Sequence, residues 1–203
     1  MPTESAQLSL LSIISLVSFF IFLITSKFSN KIGNGILLDN DFEKPQAFHK
    51  ELIPRSGGLA GLISLIVFFI LYYFLFEKVL VNYLVLSIAI FSLGFLEDIK
   101  FNISPNYRLI LMISVLILFI VFFSINISGV DLPFLNIWMR NSIFSIAFIL
   151  LCFLFIINGA NLVDGFNGLL TIHLLIINVI LMFLNFNNGN ESLGWIITAQ
   201  III

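Results

Sequence analysis

A chain of 203 residues that is 60% hydrophobic and only 10% charged, with a mean hydropathy of +1.15, is composed for lipid. A soluble domain carries roughly a quarter charged residues. The net charge of −2 leaves no basic surface for nucleic acid, and no nucleic-acid-binding motif is present. The single cysteine, Cys152, lies in an apolar run without a partner, so disulfides and cysteine-rich metal sites are excluded.

A spanning helix needs about 20 predominantly apolar residues. Such stretches recur at 8–26, 57–76, 80–96, 107–125, 143–157 and 169–186, with a last one over 193–203. The first lacks a basic leader and exceeds a signal-peptide core in length. Lys27 and Lys31 follow it, rather than a small-residue cleavage site, so it reads as an uncleaved anchor with its N-terminus outside. The stretch at 143–157 is short, and residues back to Trp138 can lengthen it. Ile, Val and Phe are poor helix formers in water, but the bilayer demands internal backbone hydrogen bonding and overrides that preference. The connections are too short for a soluble domain. The sequence therefore predicts an all-α polytopic transmembrane bundle of six to seven helices in one membrane domain over 1–203.

Basic residues orient it. The connection after the first helix carries Lys27, Lys31, Lys44, Lys50 and Arg55, and the one after the third carries Lys100 and Arg108. The opposite side receives only Lys78 and Arg140. By the positive-inside rule the first side is cytoplasmic.

The unusual polar residues fall on that same side. Lys44, His49 and Arg55, with backbone amides beside Gly57 and Gly58, could cradle an anion. The plain alternative is a topology-setting loop, with Gly57 and Gly61 in a G-x-x-x-G spacing serving helix packing. Glu97 and Asp98 end the third helix as adjacent carboxylates, which favour a cation between or near them. Such hard oxygen donors suit Mg²⁺, although a solvated helix end explains the pair equally well. Ser104 and Pro105 read as an N-cap and first helical residue. Arg108, one turn on, faces a carboxylate or phosphate, or else snorkels to headgroups.

Between the fifth and sixth helices, Asn158, Asn161, Asp164 and Asn167 fall at i, i+3, i+6 and i+9, one slanted polar stripe on helical spacing. Gly165 and Gly168 allow a tight turn or close approach of a ligand. Four polar side chains beside apolar helices need partners, either a ligand or a polar helix contact. His173, among Ile and Leu, reads as a buried or interfacial packing residue. Nucleophilic triads, zinc motifs and Walker motifs are missing.

Taken together, 44–58 (KPQAFHKELIPRSGG), 93–99 (LGFLEDI) with 104–109 (SPNYRL), and 158–169 (NGANLVDGFNGL) resemble the polyprenyl-phosphate N-acetylhexosamine-1-phosphate transferases. This superfamily, glycosyltransferase family 4, includes the phospho-MurNAc-pentapeptide transferase of cell-wall synthesis and enzymes that initiate lipopolysaccharide and O-antigen assembly. The resemblance implies attack by a polyprenyl (undecaprenyl) phosphate on a UDP-activated amino sugar at the cytoplasmic face of a bacterial inner membrane. It implies Mg²⁺, with Mn²⁺ as a substitute, held by Glu97 and Asp98. Glu97, Asp98 and Asp164 would be catalytic, with one of the first two helping to deprotonate the attacking phosphate. It assigns Asn161, Asp164 and Asn167 to the nucleotide-sugar site, Lys44, His49 and Arg55 to phosphates or to stabilising the cytoplasmic loops, and Asn158 and Arg108 to substrate binding. A homodimer is compatible with it. Three departures stand out: Glu97 replaces the family's first aspartate, Asn167 replaces its D-G-x-D-G second aspartate, and the ten to eleven helices of the family are not all present. The chain thus resembles a C-terminally truncated sequence, and the competing readings are an inactive homologue and a membrane transporter or flippase.

Overall fold

The computed structural model describes residues 4–29, 31, 38–39, 53–54, 56–78, 81–98, 104–127, 129–163 and 168–203. Eight helices account for nearly all of them: α1 (Glu4–Phe28), α2 (Gly57–Phe76), α3 (Val81–Asp98), α4 (Pro105–Phe122), α5 (Pro133–Met139), α6 (Ser142–Val163), α7 (Leu169–Asn187) and α8 (Glu191–Ile202). The one piece of β-structure among the described residues is an antiparallel ladder, β1 (Leu38–Asp39) against β2 (Ile53–Pro54). It draws the two ends of residues 40–52 together just before α2.

Five helices, α1, α2, α4, α6 and α7, are long and apolar enough to cross a membrane. The chain is a multi-pass membrane protein. The apolar part of α3 is shorter, Val81–Leu96, and α8 has only 12 residues. Neighbouring helices touch in the sequence α1–α2–α3–α4–α6, and α8 packs on both α7 and α1. The link from α6 to α7 is thin, and α7 buries none of its residues.

The best-packed region lies where α1, α2 and α8 meet. Leu10, Leu11 and Ile14 of α1 join Phe68, Phe69 and Tyr72 of α2 and Ile196 and Ala199 of α8. The first half of α1 thus meets the second half of α2, so the two helices run antiparallel. At the other end of α2, Ser56, Ala60 and Ser64 are buried at four-residue spacing. Small side chains let helix backbones approach closely where lipid removes the hydrophobic drive for association. The packing face is therefore this serine–alanine row and not Gly57 and Gly61, which have no atom within 4 Å of where a side chain would begin.

Two local signals decide where α6 begins. Residues back to Trp138 do not extend it, because the chain breaks at Arg140 and Asn141 into a separate α5. The Asn141 side chain accepts the Ile143 N–H at 2.9 Å, capping the new helix. At its far end α6 runs past Ile157 to Val163, so Asn158 and Asn161 belong to a helix and not to the connecting loop. Gly168 stands just before α7 with φ +84°, a left-handed conformation that a side chain would strain. Gly194 makes the α7–α8 hairpin tight, since a Cβ there would lie 2.9 Å from the Phe186 ring.

Overpacking a tight helix contact costs about 1–3 kcal/mol. Gly194→Val is thus expected to lower the melting temperature of the detergent-purified protein. Gly61→Val should leave it nearly unchanged, and an equal loss in both would place the α2 contact on its glycines.

Candidate active site at three helix ends

Helix α3 ends, α4 begins and α6 ends at the same end of the bundle, as up-and-down packing requires. Glu97 and Asp98 are the last two residues of α3. Leu93 and Gly94 lie one turn before them, at i−4. Pro105 opens α4 with its φ already helical and no N–H to leave unpaired. Ser104 occupies the cap position in an extended conformation but makes no side-chain cap bond; the cap signal is the proline. Arg108 then sits on the first turn, its N–H donating to the Ser104 carbonyl at 3.1 Å.

Between these helix ends lies a recess of about 170 Å³ lined by Ile90, Leu93 and Gly94 from α3, Arg108 and Met112 from α4, and Ile157 and Asn158 from α6. Its wall is mostly apolar, with one guanidinium and one carboxamide as the polar groups. The Asn158 amide donates to the Leu154 carbonyl of its own helix at 2.8 Å, which fixes the side chain and leaves its oxygen as an acceptor. Gly94 has no atom within 4 Å of a Cβ position, so the recess owes its width there to the missing side chain.

Helix α2 begins at this same end. Gly58, in the first turn of α2, lies 3.5 Å from the Phe91 ring of α3 when a Cβ is placed on it. Phe91 in turn stacks on Phe95 with ring centroids 5.2 Å apart, one turn from the acids. The β1–β2 ladder, Leu38 with Pro54 and Asp39 with Ile53, stands immediately before α2.

Of the residues singled out in the sequence, Arg108 and Asn158 share one recess. Glu97, Asp98 and Asn161 are placed by backbone on the helical turns next to it. Lys44, His49, Arg55, Asp164 and Asn167 lie outside the described residues. The recess walls at Ile90, Gly94 and Met112 carry no polar signal, and the sequence alone assigns them no role. His173 is exposed near the start of α7, with its Nδ1 3.1 Å from the Leu169 carbonyl. It is not a buried packing residue. Among the described residues no three His, Cys, Asp or Glu side chains gather into a metal cluster.

The sequence model of glycosyl transferase family 4 matches residues 80–203. That span includes the ends of α3 and α6 and the start of α4, and excludes Lys44, His49 and Arg55. No curated protein and no solved structure matches the chain.

A recess bearing Arg108 and Asn158 at the membrane surface should be wet. In a Cys152→Ala background, Gly94→Cys is expected to react with a water-soluble maleimide at least tenfold faster than Ile88→Cys, which faces outward in mid-helix and is 38% exposed in the fold. Equal, slow labelling at both positions would mean that lipid or protein seals the recess.

Proposed function

The chain belongs to glycosyl transferase family 4, and from that membership we propose that it transfers a sugar 1-phosphate, as N-acetylhexosamine 1-phosphate, from a UDP-sugar to a polyprenyl phosphate. The reaction would run at the cytoplasmic face of a bacterial inner membrane and begin the assembly of an envelope glycan. The observation that carries this reading is the recess shared by Arg108 and Asn158, one helical turn from Glu97, Asp98 and Asn161. A polar pocket at the water end of apolar helices suits a reaction between a lipid-borne phosphate and a water-borne nucleotide.

The chemistry is phosphoryl transfer. An oxygen of the lipid phosphate bonds to the β-phosphorus of the UDP-sugar, the β-phosphorus–oxygen bond to the α-phosphate breaks, and UMP leaves with the electron pair. Little covalent work falls to the protein; positioning and charge compensation dominate such reactions. Glu97 and Asp98 would hold Mg²⁺, which when bound offsets the negative charge of the phosphates. Asp98 or Glu97 accepts a proton from the lipid phosphate, sharpening it as a nucleophile. Arg108 orients that phosphate from the recess by charge-assisted hydrogen bonds. Asn158, Asn161 and Asn167 bind the nucleotide sugar, Asp164 serves the reacting groups beside them, and Lys44, His49 and Arg55 contact phosphates from the first connection.

Transport is the less favoured reading. Transporters carry ionisable groups near the bilayer midplane on broken helices. Among the described residues, the charged side chains of the spanning helices stand near the helix ends, as Glu4, Lys27 and Arg108 do.

Membranes containing the protein, supplied with polyprenyl phosphate and radiolabelled UDP-N-acetylglucosamine or another UDP-N-acetylhexosamine, are expected to yield a chloroform-soluble product and UMP in equal amounts. EDTA should abolish the yield and Mg²⁺ restore it. Asp98→Ala and Asp164→Ala should remove nearly all product, and Arg108→Ala should slow transfer about tenfold or more. A well-folded protein that forms no lipid-linked product from any UDP-N-acetylhexosamine would sink the proposal.

A further inference from the structure

The end of the bundle opposite the recess carries its own polar pocket. It opens where α4 ends, α5 lies and α6 begins, and is lined by Asn126, Ile127, Gly129, Asn136, Met139 and Arg140. Its volume is about 620 Å³, within the range of roughly 300–1,000 Å³ typical of small-molecule sites. Two hydrogen-bonded braces shape it. The Asn136 side chain accepts the Val130 N–H at 2.8 Å and donates to the Val130 carbonyl at 2.6 Å. The buried Ser145 hydroxyl donates to the Asn126 side-chain oxygen at 3.4 Å, which ties the end of α4 to α6 and leaves the Asn126 amide as a donor. Arg140 is the one charged residue in the lining, and Asp131, the carboxylate of the same connection, is exposed and not part of it.

The pocket's depth follows from the fold. Both α4 and α6 are long and apolar enough to span a membrane, so a connection joining their ends lies at a membrane surface. Helix α5 in this connection is dressed for that level: Phe134, Ile137 and Trp138 are 57%, 65% and 57% exposed. Trp138 is held between Phe134 and Phe144, at centroid distances of 6.3 and 5.4 Å. Aromatic side chains of this kind settle at the boundary between acyl chains and headgroups. A short helix with such a face, beside a carboxylate-free pocket with an arginine, meets the anionic phosphate of a phospholipid.

We propose that residues 125–127 and 129–141 form an anionic phospholipid site on the bundle face opposite the recess. Trp138 and Phe134 sit in the acyl boundary, and Arg140 with the Asn126 amide binds the headgroup phosphate. The site does not depend on the transferase chemistry, and its loss need not alter the reaction.

Two measurements test it on the intact chain. In a Trp195→Phe background Trp138 is the sole tryptophan, the chain having two. In proteoliposomes its fluorescence should be quenched by lipids brominated near the headgroup and resist aqueous iodide; quenching by iodide alone overturns the placement. Phosphatidylglycerol should raise the thermal stability of the wild type relative to phosphatidylcholine. Arg140→Gln and Asn126→Ala should lose that rise, while Arg140→Lys keeps part of it. An equal rise in wild type and Arg140→Gln overturns the headgroup contact. A rise reproduced by inorganic phosphate in neutral detergent, without lipid, assigns the pocket to a free anion and overturns the lipid proposal.

Discussion

The fold rests on a single demand: a backbone crossing lipid must satisfy its own hydrogen bonds. Helices do so internally, and an unpaired peptide group in hydrocarbon costs several kcal/mol. The demand confines polar side chains to helix ends, where water and headgroups can solvate them. It also means that a site using charge must be assembled from ends that happen to meet. Helices α3, α4 and α6 meet in this way, and their meeting converts a composition bias into a place where chemistry can occur.

Close packing elsewhere makes that meeting dependable. The antiparallel pair α1 and α2, closed by α8, holds the largest buried cluster, and Phe68, Ile14 and Ile196 are each at most 1% exposed. α2 then positions α3 through Gly58 and Phe91, and α3 positions α4. The recess therefore inherits its geometry from a rigid region across the bundle. α7 joins this chain of contacts through its hairpin with α8 and only thinly through α6. It buries nothing, and its outward Ile, Leu and Phe side chains are what a helix offers to lipid.

The sequence displayed the helical architecture because hydropathy over a span is a strong signal, and α2 is bounded where Gly57 and Phe76 bound its apolar run. It showed less about the ends of helices. The break between α5 and α6 is set by one side chain, Asn141, whose capping oxygen no hydropathy average registers. The extension of α6 through Asn158 and Asn161 was hidden for the opposite reason: polar residues look like a loop, yet a helix can carry them where it leaves the membrane. The glycine spacing at 57 and 61 suggested a packing face, but a residue's face depends on the partner helix, which a single helix cannot reveal. The recess joins Gly94 and Met112, which have no chemical signature, to Arg108 and Asn158, which do. Only tertiary contact selects such a set.

The length of α3 bears on how the two substrates could meet. Its apolar part, Val81–Leu96, spans about 24 Å at 1.5 Å per residue, against roughly 30 Å of hydrocarbon. A short helix is accommodated by a thinner bilayer or by polar ends drawn toward it. Both outcomes bring Glu97 and Asp98 closer to the level of the acyl chains than the ends of the longer neighbours α2 and α6. In the proposed reaction, carboxylates at that depth would gain more from a divalent cation than the same pair in open water. A phosphate on a lipid reaches that level without leaving its bilayer. The proposed nucleotide would need only to descend from water into a recess whose walls already carry a guanidinium and an amide. In the proposed reaction, the shortness of one helix would bring the carboxylates to the level that a lipid phosphate occupies, beside a recess that stays open to water.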